Sequence, residues 1–175
     1  PSLLSTELNL EGAVALGDTL RLFQRSNGAL LAPSAAPTCA TCDLSLSELL
    51  AHLDAPASTP IPALHNVIHY ELGQAGTGRL TFTDATVLPD TAVLFSASAE
   101  SSPNAYDDGE VSGSALGILR DTTARLCLLQ DEQGRPVRDK VEGVALASPT
   151  CAYVVIDPDD HHKPGTLAEV ELSGF

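Results

Sequence analysis

The sequence predicts an all-β fold of repeated antiparallel meanders, interrupted by one short helical insertion. Three observations carry that prediction. Residues 80–119 run as strand, tight turn, strand, long polar loop and strand, with the turn at Leu88-Pro89-Asp90 and an acidic loop over 100–110. Short apolar runs bounded by turn residues in that order mark a meander. The opening unit of this stretch recurs at residues 10–23 and 141–156. Only residues 45–53 place their apolar side chains at helical spacing.

Taken in order, residues 8–16 (LNLEGAVAL) form a strand, Gly17-Asp18 a tight turn and residues 19–24 (TLRLFQ) a second strand. Ala29-Leu30-Leu31 begin a third after the break at residues 25–28. Residues 33–62 are rich in Pro, Ala, Ser and Thr and read as an inserted segment of loops around one helix. In that helix Leu46, Leu49, Leu50 and Leu53 make an apolar stripe, and Ser45 with Glu48 makes a capping box. About 30 residues cannot bury a core of their own, so residues 1–175 are read as a single domain. Strands follow at 66–72 (NVIHYEL), 80–87, 91–97, 114–119, 125–130 (RLCLLQ), 141–147 and 152–156. Residues 166–172 (TLAEVEL) alternate strictly and form the last strand.

Composition sets the outer limits. Of the 175 residues 43% are hydrophobic but only 4% aromatic, and Trp is absent, so Leu, Val, Ala and Ile must build the core. No apolar run approaches the roughly 20 residues that span a bilayer. The excess of 23 acidic over 9 basic residues, net −14, argues against nucleic acid and anionic membranes as partners. It suits a cation, a cationic ligand or simple solubility, of which solubility is the plainest reading. The chain holds no Met and starts at Pro1 in strand-like sequence, so it reads as processed or as a fragment. No leader pattern is visible, which leans the reading toward the cytoplasm. Cys39 and Cys42 have the spacing of a zinc or redox pair, but no second close pair exists, and they read as an exposed loop pair. Cys127 and Cys151 lie in apolar runs and read as small core residues.

The repeat can be counted. Leu16-Gly17-Asp18-Thr19 falls on Leu88-Pro89-Asp90-Thr91 at an offset of 72, which also brings Leu22-Phe23 onto Leu94-Phe95. Asp84-Ala85 falls on Glu142-Gly143 at an offset of 58. Glu11-Gly12 joins that acid–small pair only if the first copy carries an extra residue, as a bulge would supply. The stretches LNLEGAVALGDTLRLFQRSNGA, FTDATVLPDTAVLFSASAESSPNAYDDGEVSGSALG and KVEGVALASPTCAYVVIDPDD carry a resemblance. They are similar to the blades of β-propellers related to the esterase-like phytases, and most to a bacterial propeller family of unknown function within that group. The resemblance covers a little under half of the chain. It implies a β-propeller-type partial ring of about three blades, where a full ring of the group has about six. The chain would then either pair with a copy of itself through its open blade edges or lack its N-terminal half.

The same resemblance places the first strand of each blade on a central channel, which makes Glu11, Asp84 and Glu142 the candidate channel carboxylates. Carboxylates that converge repel unless a cation or a basic side chain neutralises them. Arg25 and Lys140 are the basic residues nearest in sequence, and Ca²⁺ is the cation such oxygens hold. The acidic loops add Asp107, Asp108, Asp157 and Asp159 as further metal-ligand candidates. Each channel acid could instead accept backbone amides of the neighbouring blade. Propeller phytases hold phosphate through acidic loops and Ca²⁺, so the resemblance also implies a phosphoesterase, although only two lysines are present to hold a phosphate. His65, His69 and Glu71 share strand parity, and His161-His162 lie among aspartates; strand and loop histidines are the simpler reading. Gly113-Ser114-Ala115-Leu116-Gly117 has its serine one place too early for a nucleophile elbow. The sequence thus predicts a propeller that binds a small ligand or cation at its channel mouth. A phosphoesterase and a protein-binding scaffold are the alternatives.

Overall fold

A computed structural model describes residues 8–25, 39–101, 109–158, 160 and 162–173. Among them the chain is mostly β, with one short helix and three antiparallel sheets formed in chain order. Sheet 1 holds β1 (Leu10–Leu16), β2 (Thr19–Gln24), β3 (Cys39–Ser45) and β4 (His65–Tyr70), with the helix α1 (Leu46–Asp54) between the last two. Sheet 2 holds β5 (Gln74–Ala75), β6 (Gly78–Val87), β7 (Val93–Ser101), β8 (Glu110–Arg120) and β9 (Thr123–Leu128). Sheet 3 holds β10 (Lys140–Ser148), β11 (Cys151–Asp157) and β12 (Thr166–Glu171). In every sheet each strand pairs with the one before it.

Sheet 2 lies between the other two and buries both faces, and strand parity sorts its side chains. On β7, Val93, Phe95, Ala97 and Ala99 pack toward sheet 1. Leu94, one step over, joins Leu116 in packing on Val141, Val144 and Val154 of sheet 3. With so few aromatic residues available, the seam between sheets 1 and 2 concentrates them. Phe82 stands edge-on to Phe23 and to Phe95, each at 5.1 Å, and Tyr70 meets it at 5.7 Å. Such edge-to-face pairs add about 0.5–1.5 kcal/mol each beyond their buried area. Gly117 makes this arrangement possible, because a Cβ there would stand 2.3 Å from Phe95 Cζ.

Residues 33–62 differ from their expectation. Residues 39–45 form an interior strand of sheet 1, not a loop, and the helix begins one residue after its Ser45 cap. The alternation rule fails on β3 because both faces are buried and its polar residues find partners inside. Asp43 meets Arg21, directly opposite on β2, and Thr41 lies 3.3 Å from the Tyr70 hydroxyl. Cys39 and Cys42 are therefore buried strand residues, not an exposed loop pair. Cys127 is exposed on β9 rather than in the core, and Cys151 is half-buried. Ala29-Leu30-Leu31 lie outside the described residues. Asp18, from the β1–β2 turn, reaches across to α1 and accepts from Ser47 N, Ser45 Oγ and Ser47 Oγ.

Candidate functional site

β1 and β10, which open sheets 1 and 3, and β6, which follows the two-residue β5 in sheet 2, share one irregularity. The pairing of each with its neighbour slips between Leu10 and Gly12, between Phe82 and Asp84, and between Val141 and Gly143. The residue left over at each bulge is Glu11, Thr83 and Glu142. A bulge re-aims the extra side chain out of the ladder, so these three positions correspond in structure. Glu11 falls on Thr83 at the offset of 72 read from the sequence, and Thr83 falls on Glu142 at 59 rather than 58. Asp84 is thereby the counterpart of Gly12 and Gly143, not of Glu11 and Glu142. The longer turn in sheet 2 also shifts β7, so Phe95 corresponds to Leu22, which pairs with Ala13 as Phe95 pairs with Ala85.

Five charged side chains from the three sheets converge at this end. Arg25, just beyond β2, is 3% exposed, and its Nη2 contacts Glu100 Oε2. Its Nη1 stands 3.6 Å from Glu11 Oε1. Lys140 Nζ lies 3.0 Å from Glu142 Oε1 and 3.9 Å from Glu100 Oε2. Glu100, whose side chain is 5% exposed, takes a further hydrogen bond at 2.7 Å from Gly109 N through its other oxygen. Glu100 is thus the hinge of the cluster, with Glu11 and Glu142 as its more open carboxylates. Two polar atoms in it are left over. Arg25 Nε is buried without a hydrogen-bond partner among the described residues. Glu142 Oε1 is ion-paired with Lys140 but lacks an aligned hydrogen bond.

Electrostatics follow from that geometry. Burial works against the Lys140 ammonium, but the Glu142 carboxylate 3.0 Å away, with Glu100 adding, outweighs it and holds Lys140 above its ordinary pKa. Burial pushes the Glu142 carboxyl up, and repulsion from Glu11 adds to it, against the pull of Lys140 and Arg25. The floor beside the cluster is uncharged and satisfied. Thr83 Oγ1 bonds Ser96 Oγ at 2.9 Å, Ser98 Oγ bonds Ser114 Oγ at 2.8 Å, and Ser114 Oγ donates to Asp139 O at 2.7 Å.

Of the residues singled out in the sequence, Glu11, Arg25, Lys140 and Glu142 come together. Asp84 does not join them, because its Oδ2 accepts from Val144 N at 2.8 Å and straps sheet 2 to sheet 3. Asp157 ends β11 opposite Lys140 in the register. Asp107, Asp108 and Asp159 lie outside the described residues, as does His161. Among the described residues no group of three or more His, Cys, Asp or Glu is placed to hold a metal ion. His65 and His69 are exposed on β4, and the left-handed backbone of Asn66 between them, φ 49°, breaks the shared face expected of them. Ser114 is a buried strand residue in the hydroxyl ladder. Glu100 was not legible as a site residue, since it opens an acidic run that reads as loop. Its parity with Ser96 and Ser98 on β7 was the available signal.

The described clefts lie elsewhere. One of about 640 Å³ opens between β9 and β12, lined by Cys127, Leu128, Glu169 and Leu172 among others. Another, of about 570 Å³, lies between the turns of sheets 1 and 2, with Arg21, Thr91 and Asp121 in its lining. Among known proteins, a family model described as "Family of unknown function (DUF6910)" matches residues 2–161. No curated protein matches, and no solved structure does.

Proposed function

Starting from a chain that belongs to DUF6910, a family of unknown function, we propose a propeller-type binding module that takes a small amine bearing an oxygen acceptor. The observation that carries this reading is the open charged cluster at the bulged ends of β1 and β10, where the buried Arg25 Nε has no acceptor among the described residues. A buried donor without a partner is costly, and a bound oxygen would satisfy it. Among the described residues three carboxylates stand against two cations, an excess of one negative charge that an ammonium beside Glu11 and Glu142 would offset. The more open carboxylates face that ammonium, and the guanidinium below them takes the oxygen. Three sheets in chain order, each with one bulged strand at a corresponding place (β1, β6 and β10), support the propeller-type architecture for this site.

The cluster does not favour phosphoester chemistry, because Arg25 and Lys140 already face carboxylates. Thermal melts with ethanolamine, glycine, methylammonium, acetate, Ca²⁺ and EDTA test the proposal. Ethanolamine or glycine is expected to raise the melting temperature of the wild type by several degrees, and of Glu142→Gln by much less. A rise with Ca²⁺ alone, reversed by EDTA, would replace the amine with a metal site. Phosphate release from a simple ester, lost on Asp84→Asn, would replace the binding module with a hydrolase. No shift with any of them would leave the cluster as an internal strap.

A further inference from the structure

The two seams between sheets are built at corresponding positions, and sheets 1 and 3 carry the same positions on surfaces that nothing described covers fully. Sheet 2 meets sheet 1 through Phe82, Ala85 and Phe95, and sheet 3 meets sheet 2 through Val141, Val144 and Val154. The pairing register places these residues one-for-one. In sheet 1 the same three places are held by Leu10, Ala13 and Leu22, with Leu10 42% exposed. Facing the other way, Leu94 and Leu116 of sheet 2 receive sheet 3. Their counterparts in sheet 3 are Tyr153, opposite Ala145, and Leu167, opposite Val155. Tyr153 is 43% and Leu167 68% exposed, with Val155 between them at 47%.

We propose that the outer face of sheet 3 docks on the outer β1–β2 face of sheet 1 in a second copy of this chain. The occupant is identified by continuity: the contact repeats the sheet-on-sheet seam already made twice within the chain, with apolar side chains at the same register positions. On β3 that face of sheet 1 is already filled, since Ala40, Cys42 and Leu44 are buried. The receiving surface is therefore the β1–β2 half. The contact is head-to-tail, so the surface on one copy differs from the surface on its partner. The proposal stands on the packing of the sheets and not on the ligand reading above.

Sedimentation of the chain over a wide concentration range, beside Leu167→Lys and Leu10→Glu, tests this. Both side chains are exposed, so neither substitution opens a cavity, and melts of the two variants confirm folding. The wild type is expected to reach the mass of two copies, and each variant alone to remain monomeric. An equal mixture of the variants is expected to regain the dimer, because it restores one native contact and pairs Lys with Glu at the other. A wild type that stays monomeric at every concentration would overturn the proposal. So would a dimer that Leu167→Lys breaks and Leu10→Glu leaves intact, which would mean sheet 3 pairs with sheet 3.

Discussion

Arg21–Asp43 and the Arg25–Glu100–Lys140 cluster are both charged sites withdrawn from water, yet they are finished to different degrees. The first is closed. Arg21 reaches Asp43 through two parallel hydrogen bonds, Nε to Oδ1 at 2.8 Å and Nη2 to Oδ2 at 2.9 Å, and Asn66 Nδ2 adds a third at 3.3 Å. The partners lie opposite each other on adjacent strands of one sheet, where cross-strand contact is automatic. The second draws on all three sheets and, among the described residues, leaves Arg25 Nε unmatched and carries one more carboxylate than cation. A closed pair holds a sheet together and has no spare capacity. An open cluster can hold something else.

The largest effect expected from breaking this contrast is at Arg25. Arg25→Met leaves the buried Glu100 without its closest cation, with Lys140 3.9 Å away, and urea unfolding should show a loss of about 3 kcal/mol, in the range for splitting a buried pair. Asp43→Ala strands the less deeply buried Arg21 and should cost about 2 kcal/mol. Asp84→Ala removes the acceptor of Val144 N and should cost about 1 kcal/mol, whereas Asp84→Asn keeps an oxygen and costs little. At the exposed Arg120–Asp90 pair, Arg120→Ala should leave the urea midpoint unchanged.

Acidity separates the two sites by sign. Burial opposes the charge on Asp43, but the Arg21 hydrogen bonds outweigh it and hold the carboxyl below its ordinary 3.8. Its contribution is present above that value and is lost as pH falls through the depressed one. Glu142 is pushed above its ordinary 4.5, so its contribution is present below 4.5 and is lost as pH rises through the raised value. Stability measured against pH should therefore change in Glu142→Gln above about 4.5 and in Asp43→Asn below about 3.8. Interchanged windows would contradict the assignment.

The meanders, the helix with its Ser45 cap and most strand positions were legible because they rest on local pattern and turn chemistry. Cys39–Ser45 was not, since a strand covered on both faces loses the alternation that marks one, and its Thr41 and Asp43 hide their partners 29 and 22 residues away. Glu11 and Glu142 were legible from the repeat, and Arg25 and Lys140 as the basic residues nearest such acids in sequence. Asp84 was misassigned because a bulge adds a residue to β1, β6 and β10 alike, and one residue decides which side chain leaves the ladder. Glu100 was missed because its partner Arg25 lies 75 residues away, a distance no local pattern spans.

Calorimetric titration of ethanolamine and glycine into the wild type, Glu142→Gln and Asp43→Asn tests the central claim most directly. The open cluster predicts saturable binding to the wild type, a loss of tenfold or more in Glu142→Gln, corresponding to about 1.4 kcal/mol, and affinity retained in Asp43→Asn. Binding lost equally in both variants, or absent from the wild type, would mean that the two charged sites do the same structural work.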